Sequence, residues 1–352
     1  MRNCLFYFVN AEYNGCTKSF TGGRMKSKTK YNATEEEIRR EFLKVGIGEA
    51  TDIEPLGDGE FNAAFKVRVK DADYVLKIAP PNDATVVNHE HNMMKAEVFW
   101  YKQMSEKTSI CVPKIYYEDF SRDTVGSDCF IMEMMYGEPL WKVNTDEALN
   151  ESIQEKKIAM LAQIHAIPND KYGYIQVREY DNWYEAIYNM ASNLVADCKK
   201  FGHETPDGEK FLGFIEKHKE ILKKAPCRMV NFDLWDSNVL YNDGTLIWID
   251  PERSFWGDPV ADFITLGKGQ KAPLTEKLHE IEIYNKYAKE PITAGPEECV
   301  RYAVAVAYLA LIEEVEKYVR YEPDEPNYIR NTVDARDMYD TAFEVMEKNL
   351  WN

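Results

Sequence analysis

The stretch from Met229 to Asp250 constrains the fold of this chain more than any other. Two short apolar runs, Val239-Leu-Tyr and Leu246-Ile-Trp-Ile, flank the turn Asn242-Asp-Gly. An Asp-Gly pair between such runs signals a β-hairpin, because the tight hairpin turn needs positive φ at both central residues. Most of the apolar spacing around this stretch is helical, so a two-stranded ribbon must be built into a helical body. The ends of the ribbon are dense in oxygen-bearing side chains. Asn238 follows Asp233 by five positions, and Asp250 follows Asn238 by twelve. Two carboxylates and an amide oxygen at the ends of one hairpin can converge on a small volume.

The first part of the chain has a different pattern. Thr34-Glu-Glu-Glu reads as an N-cap with acids in the first turn, opening a helix through about Leu43. Phe65, Val67 and Val69 alternate with Lys66, Arg68 and Lys70, and a polar turn leads to Tyr74-Val-Leu-Lys-Ile. This period of two is the signature of strands. A helix is expected around Asn88–Ser105, then Val112-Pro-Lys-Ile-Tyr and a strand at Cys129–Met134. Helical periods resume after Ala261 and run to the end, broken at Pro291–Pro296 and at Glu322-Pro-Asp-Glu-Pro. The reading is α+β: a poorly ordered leader over 1–30, a β-rich lobe over 31–136, and a helical lobe over 137–352 with the hairpin inside it.

Composition narrows the class. With 352 residues, 45% hydrophobic and 29% charged, the chain has the balance of a globular protein that needs no disulfide or metal staple to fold. Its 60 acidic and 43 basic residues give a net charge of −17, which argues against a broad nucleic-acid surface. Such a surface suits a cationic small partner, or serves solubility alone. Seven scattered cysteines without a C-x-x-C pair read as reduced thiols, and the expected compartment is the cytoplasm. The longest apolar run, Tyr302–Ile312, is too short to span a bilayer and reads as a buried helix, so no membrane partner is expected.

Oxygen-only ligation at Asp233, Asn238 and Asp250 suits Mg²⁺, which accepts one or two protein groups together with phosphate oxygens. Only one of the acids need bind metal; the other can face an incoming hydroxyl. That arrangement is half of a phosphoryl-transfer site. In the β-rich lobe, Gly57 and Gly59 in Leu56-Gly-Asp-Gly-Glu-Phe-Asn would let the backbone approach phosphates without a Cβ clash. The same turn also fits an ordinary hairpin. Lys77 lies one hairpin further on, able to reach beneath the turn or to be merely the snorkelled end of a strand. Glu97, inside the longer amphipathic run, is favoured over Glu90 as its partner.

In their order these pieces resemble the aminoglycoside phosphotransferase family and its fructosamine-kinase-like and choline-kinase-like relatives. The likeness spans about residue 50 to 265. It rests on N-F-D-L-W-D-S-N-V-L from Asn231, I-D-P-E-R-S-F-W-G-D-P-V-A-D-F from Ile249, and the glycine turn ending at Asn62. Val75-Leu-Lys77-Ile, Ala96-Glu97-Val-Phe-Trp-Tyr, Glu133-Met-Met-Tyr-Gly137 and Leu161-Ala-Gln-Ile-His165 agree in order. The resemblance implies a two-lobed, protein-kinase-like fold that holds ATP and Mg²⁺ and phosphorylates a hydroxyl of a small molecule. It implies that Asp233 accepts or orients the hydroxyl proton and that Asn238 and Asp250 hold Mg²⁺. Gly57, Gly59, Asn62, Lys77 and Glu97 would hold the nucleotide, with the backbone of Glu133 and Met135 at the adenine. Asp262 would brace the catalytic loop.

The chain departs from the family's pattern in having Asn231 where a His usually stands two residues before the catalytic Asp. A nucleotide-binding module without catalysis is therefore one rival reading. A protein Ser/Thr kinase is the other, although the residues after Asp250 leave no room for an activation segment. Acceptors in view are an aminoglycoside, an amino sugar, a fructosamine or a choline-like alcohol. Asp236 and Glu252 are candidates to meet such a cation, or are simply solvated acids. The aromatic stripe Tyr180–Phe201 reads first as core, with Trp183, Tyr184 and Tyr188 as acceptor candidates. His165 reads as a packed helix residue rather than a base.

Overall fold

The computed structural model describes residues 29–57 and 61–348. The leader expected over 1–30 therefore falls almost wholly outside the described residues.

Thr34 caps helix α1 (Glu35–Lys44) through a capping box: its hydroxyl accepts from the Glu37 N–H at 3.2 Å, and the Glu37 carboxylate accepts from the Thr34 N–H at 2.7 Å. Helix α1 lies on one face of a five-stranded antiparallel sheet. Its strands are β1 (Asp52–Pro55), β2 (Ala63–Val69), β3 (Ala72–Ile78), β4 (Ile115–Asp119) and β5 (Cys129–Glu133), in the order β1-β2-β3-β5-β4. Successive side chains of a strand take opposite faces. Leu76, Ile78 and Ile131 pack with Ile38 and Phe42 of α1, whereas Val75, Phe130 and Met132 join the core that holds α2 (Met93–Lys107). Lys77 shares the parity of Val75. The strand itself thus aims Lys77 at α2.

Helix α2 begins at Met93, five residues later than expected. Asn88–Glu90 form a single 3-10 turn, and Asn92 takes the left-handed conformation at φ 58°. Asn tolerates that region, and the Glu90 carboxylate turns back to accept from the Val87 N–H at 2.9 Å.

The second lobe contains β6 (Glu138–Pro139), α3 (Glu147–His165), α4 (Trp183–Lys200), α5 (Pro206–Lys217), α6 (Lys219–Leu222), β7 (Arg228–Val230), β8 (Val239–Asn242), β9 (Thr245–Trp248), β10 (Phe255–Gly257), α7 (Leu278–Tyr287), α8 (Pro296–Arg320) and α9 (Pro326–Lys348). Helix α8 is its axis. Every residue from Tyr302 to Ile312 is buried, with α4, α5 and α9 packed around it. Among the described residues no helix is long and apolar enough to cross a membrane. The helical run expected directly after Ala261 is instead a 3-10 stretch, Pro259–Thr265. Gly267 and Gly269, with φ of 56° and 76°, then delay the next α-helix to Leu278. The five described cysteines are free thiols.

The expected hairpin is β8–β9. Asp243 and Gly244 both have positive φ, 46° and 86°, as a twist-matched two-residue turn requires. A second ribbon pairs β7 with β10, Val230 opposite Phe255. Between the ends of these two ribbons run the loops 231–238 and 249–254. Trp183, an acceptor candidate by sequence, is instead core: it is 1% exposed and stacked on Phe255 at 5.5 Å. Its helical spacing served burial. Trp183→Ala should cost about 3–5 kcal/mol in chemical denaturation. A loss under about 1 kcal/mol would contradict this placement.

Candidate active site

Lys77 is the centre of the cleft side of the sheet. Its Nζ lies 2.7 Å from Glu97 Oε1, 2.7 Å from Asp250 Oδ1 and 3.7 Å from Glu252 Oε2. Burial alone would lower its pKa; the carboxylates of Asp250, Glu97 and Glu252 outweigh that and hold the ammonium well above its ordinary value. Glu90 is elsewhere, paired with Arg320. Asn62 Nδ2 donates to Glu252 Oε2 at 2.8 Å. Glu252, a candidate for the acceptor by sequence, is thereby held on the Lys77 side by Asn62. Gly57 sits at φ 64°, where glycine's freedom is needed; Gly59 lies outside the described residues. Asp250 also takes a left-handed conformation, φ 55°, and its N–H donates to the Tyr101 hydroxyl at 2.9 Å.

The loop that carries Asp233 is held from below. The Asp262 carboxylate accepts from the N–H groups of Asn231 at 2.8 Å and Phe232 at 2.6 Å, and meets His165 Nε2 at 2.9 Å. Phe232 is left-handed at φ 61°, a conformation that this anchor fixes. His165 is indeed packed, its other ring nitrogen 3.0 Å from the Tyr284 hydroxyl. Asn231 Oδ1 accepts from the Asp233 N–H at 3.0 Å, so the residue standing in the usual His position closes the turn. Asn238 Nδ2 donates to the Asp233 carbonyl at 2.9 Å and to its carboxylate at 3.1 Å. The Ile249 N–H donates to the Asn238 carbonyl at 3.0 Å, which sets Asn238 beside the residue before Asp250. Burial pushes the Asp233 carboxyl up to about 7; the Arg253 guanidinium opposes the rise, and Glu252, Asp250 and Glu316 add to it.

Other candidates fall elsewhere. Asp236 is paired with the buried Lys157 of α3 at 2.9 Å. The Tyr184 hydroxyl donates to Glu216 of α5, with Tyr188 packed at its side. At the end of β5, Glu133 accepts from the Lys114 N–H at 3.3 Å, and Met135 lies against an apolar shelf of Leu240, Ile247 and Ile249. The donor set at Asn238 and Asp250 is all oxygen, and one ammonium faces three carboxylates. Uncompensated negative charge with hard donors fits a divalent cation such as Mg²⁺.

A profile of the phosphotransferase enzyme family matches residues 52–287. The chain belongs to that family. It is thus a phosphotransferase. Among curated proteins no significant sequence match is found. Similar solved structures include a protein assigned as an aminoglycoside phosphotransferase from Ralstonia eutropha JMP134, at TM-score 0.63 and 17% identity over 90% of this chain and 98% of that one. A protein assigned as a fructosamine-3-kinase from Haemophilus somnus 129PT aligns at TM-score 0.60 and 16% identity, over 86% and 96%. APH(2″)-IIa, solved as a ternary complex with streptomycin and ATP, aligns at 0.56 and 18%, over 87% and 97%. These likenesses establish the two-lobed kinase-like fold.

Sequence reasoning missed two groups in this phosphotransferase. Arg253, three residues after Asp250, donates twice to Glu316 of α8 at 3.0 Å and compensates Asp233. Tyr101, one turn beyond Glu97 on α2, holds the Asp250 backbone. The four-residue step from Glu97 was the available signal for Tyr101; Arg253 offered none.

The raised Asp233 pKa has a consequence for the metal-free, nucleotide-free protein. Between the ordinary value of 3.8 and about 7 the folded state binds more protons there than the unfolded state, so this group makes stability fall as pH rises. Asp233→Asn should gain in Tm over wild type progressively from pH 4 to pH 7 and level off above that. Parallel Tm curves would contradict it.

Proposed function

We propose that this chain transfers the γ-phosphate of ATP, in the presence of Mg²⁺, to a hydroxyl of a sugar-like or amine-bearing small molecule. The observation that carries the reading is the presence, in one structure, of a buried, carboxylate-ringed Lys77 and of an Asp233 whose carboxylate accepts from Asn238 at 3.1 Å. In this reading residues 31–136 form the nucleotide lobe and 137–352 the catalytic lobe. Lys77, steadied by Glu97, binds phosphate oxygens beneath the turn of Gly57, Gly59 and Asn62. The backbone of Glu133 and Met135 meets the adenine above the apolar shelf of Leu240, Ile247 and Ile249. Asn238 and Asp250 would hold Mg²⁺, which supplies charge neutralisation at the β- and γ-oxygens when bound.

Asp233 orients the acceptor hydroxyl and takes its proton as the oxygen bonds to the γ-phosphorus and the bond to the ADP oxygen breaks. A carboxyl raised to about 7 is a competent base near neutral pH. Its partners Asn231 and Asp262 position it. Support for ATP comes from two neighbours of the same fold, solved with streptomycin and ATP and with AMP-PNP and hygromycin B. The reading of a module without catalysis loses its ground, because Asn231 itself closes the loop at the Asp233 N–H. After Asp250 the chain enters a 3-10 turn, β10 and the Asp258-capped 3-10 stretch, which favours a small acceptor over a protein.

Asp233→Asn should lower kcat for ADP release by about a thousandfold while leaving nucleotide affinity within about threefold of wild type. Equal loss of turnover and affinity, or loss of neither, would contradict the assignment.

A further inference from the structure

We infer that Arg320, the last residue of α8, is a positioning residue for the nucleotide: its guanidinium ties Phe61 of the glycine turn to Glu316 and Glu90, and so holds that turn against the segment after Asp250. The inference rests on the phosphotransfer reading above.

The Arg320 side chain is 13% exposed and its two arms are both engaged. Nη2 donates to Glu90 Oε1, ahead of α2, and Nη1 lies 3.2 Å from Glu316 Oε2, one turn back along α8. Glu90 is fixed on its other oxygen by the Val87 N–H at 2.9 Å. Glu316 in turn accepts twice from Arg253 Nη2 at 3.0 Å. Two carboxylates thus meet two guanidiniums. His89, 4.0 Å from Glu316, adds no charge, since burial drives its pKa down to about 3. The same balance leaves His89, Glu90 and Glu316 no net charge to offer a metal. A buried network of this kind adds little net stability, because the desolvation of its charges offsets their attraction. What it fixes is geometry.

The guanidinium also has an aromatic neighbour. Its central carbon lies 5.8 Å from the centre of the Phe61 ring, and a cation so placed is drawn to the ring face. Phe61 is 7% exposed and packs with Val86 and with Met93, where α2 begins. The ring is therefore held both by the start of α2 and by Arg320. A lysine would not replace this residue, since one ammonium lacks the planar fork that spans two carboxylates and lies against a ring.

Phe61 and Asn62 are neighbours in the chain, as are Glu252 and Arg253. The contacts accordingly close a circuit: Asn62 to Glu252, Arg253 to Glu316, Glu316 to Arg320, and Arg320 back to Phe61. Residues 61–62, 252–253 and 316–320, far apart in sequence, are locked together by it. One end of the circuit is the turn proposed to cover the phosphates, and the other begins two residues after Asp250. Removing Arg320 opens the circuit at Phe61, so its effect should fall on the phosphates and not on the adenine.

The test titrates the full chain with Mg·ATP by calorimetry and with adenosine, which carries no phosphate, by saturation-transfer NMR. Arg320→Met combined with Glu90→Gln removes one charge of each sign and leaves Glu316 paired with Arg253. This double variant should bind Mg·ATP about tenfold more weakly and adenosine within about twofold of wild type. Phe61→Leu keeps an apolar side chain against Val86 and Met93, and should weaken Mg·ATP by about fivefold. Added to the double variant it should cost less than about a further twofold, because both changes open the same circuit. If the double variant does not fold, Phe61→Leu with the same two ligands decides. Unchanged Mg·ATP affinity, equal losses for Mg·ATP and adenosine, or fully additive losses would overturn the inference. A wild-type chain that binds no Mg·ATP would instead overturn the phosphotransfer reading itself.

Discussion

Lys77 carries its charge where water reaches little of it, and it does so only because three carboxylates from two separate parts of the chain surround it. A buried ion is tolerable when paired and costly when a partner is removed. Glu97 comes from α2, while Asp250 and Glu252 come from the loop between β9 and β10. The ammonium therefore fixes the sheet of the first lobe against both the helix behind it and the ribbon of the second. Whatever binds in the cleft meets a spacing between lobes that this cluster has already set.

The second lobe meets that constraint with a loop under strain. Phe232 and Asp250, neither a glycine, are both left-handed, and each is held by a buried polar partner: Asp262 for the first, Tyr101 for the second. Asp262 in turn meets His165, which is itself bonded to Tyr284, so the anchor reaches from α3 to α7. Strain of this kind persists only where its surroundings over-determine it. The same burial that raises the Asp233 carboxyl makes the loop a stability cost in the empty protein and a proton acceptor in the proposed reaction.

What was legible in the sequence was local or periodic. The alternation of Phe65, Val67 and Val69 gave the strand before Lys77, Asp-Gly gave the hairpin, and the five-residue step from Asp233 to Asn238 gave the loop. Glu97 was separable from Glu90 because it sits within the helical period, whereas Glu90 falls before α2 begins. The contacts that escaped join residues far apart in the chain: Asn62 with Glu252, Lys157 with Asp236, Glu90 with Arg320. No spacing encodes such pairs, so Asp236 and Glu252 read as free acids although both are already partnered. The aromatic stripe of α4 failed differently, since helical spacing is the same whether Trp183 faces a core or a ligand.

With one ammonium facing three carboxylates, the site around Lys77 is acidic and should accept a polyphosphate only together with a cation. Calorimetric titration of the wild-type chain with ATP, in Mg²⁺ and in its absence with a chelator, tests this directly. Affinity should be at least about tenfold higher with Mg²⁺, because the tetra-anion alone meets net negative charge in a site that screens it poorly. Equal affinity in both conditions would mean that the carboxylates around Lys77 do not require a cation.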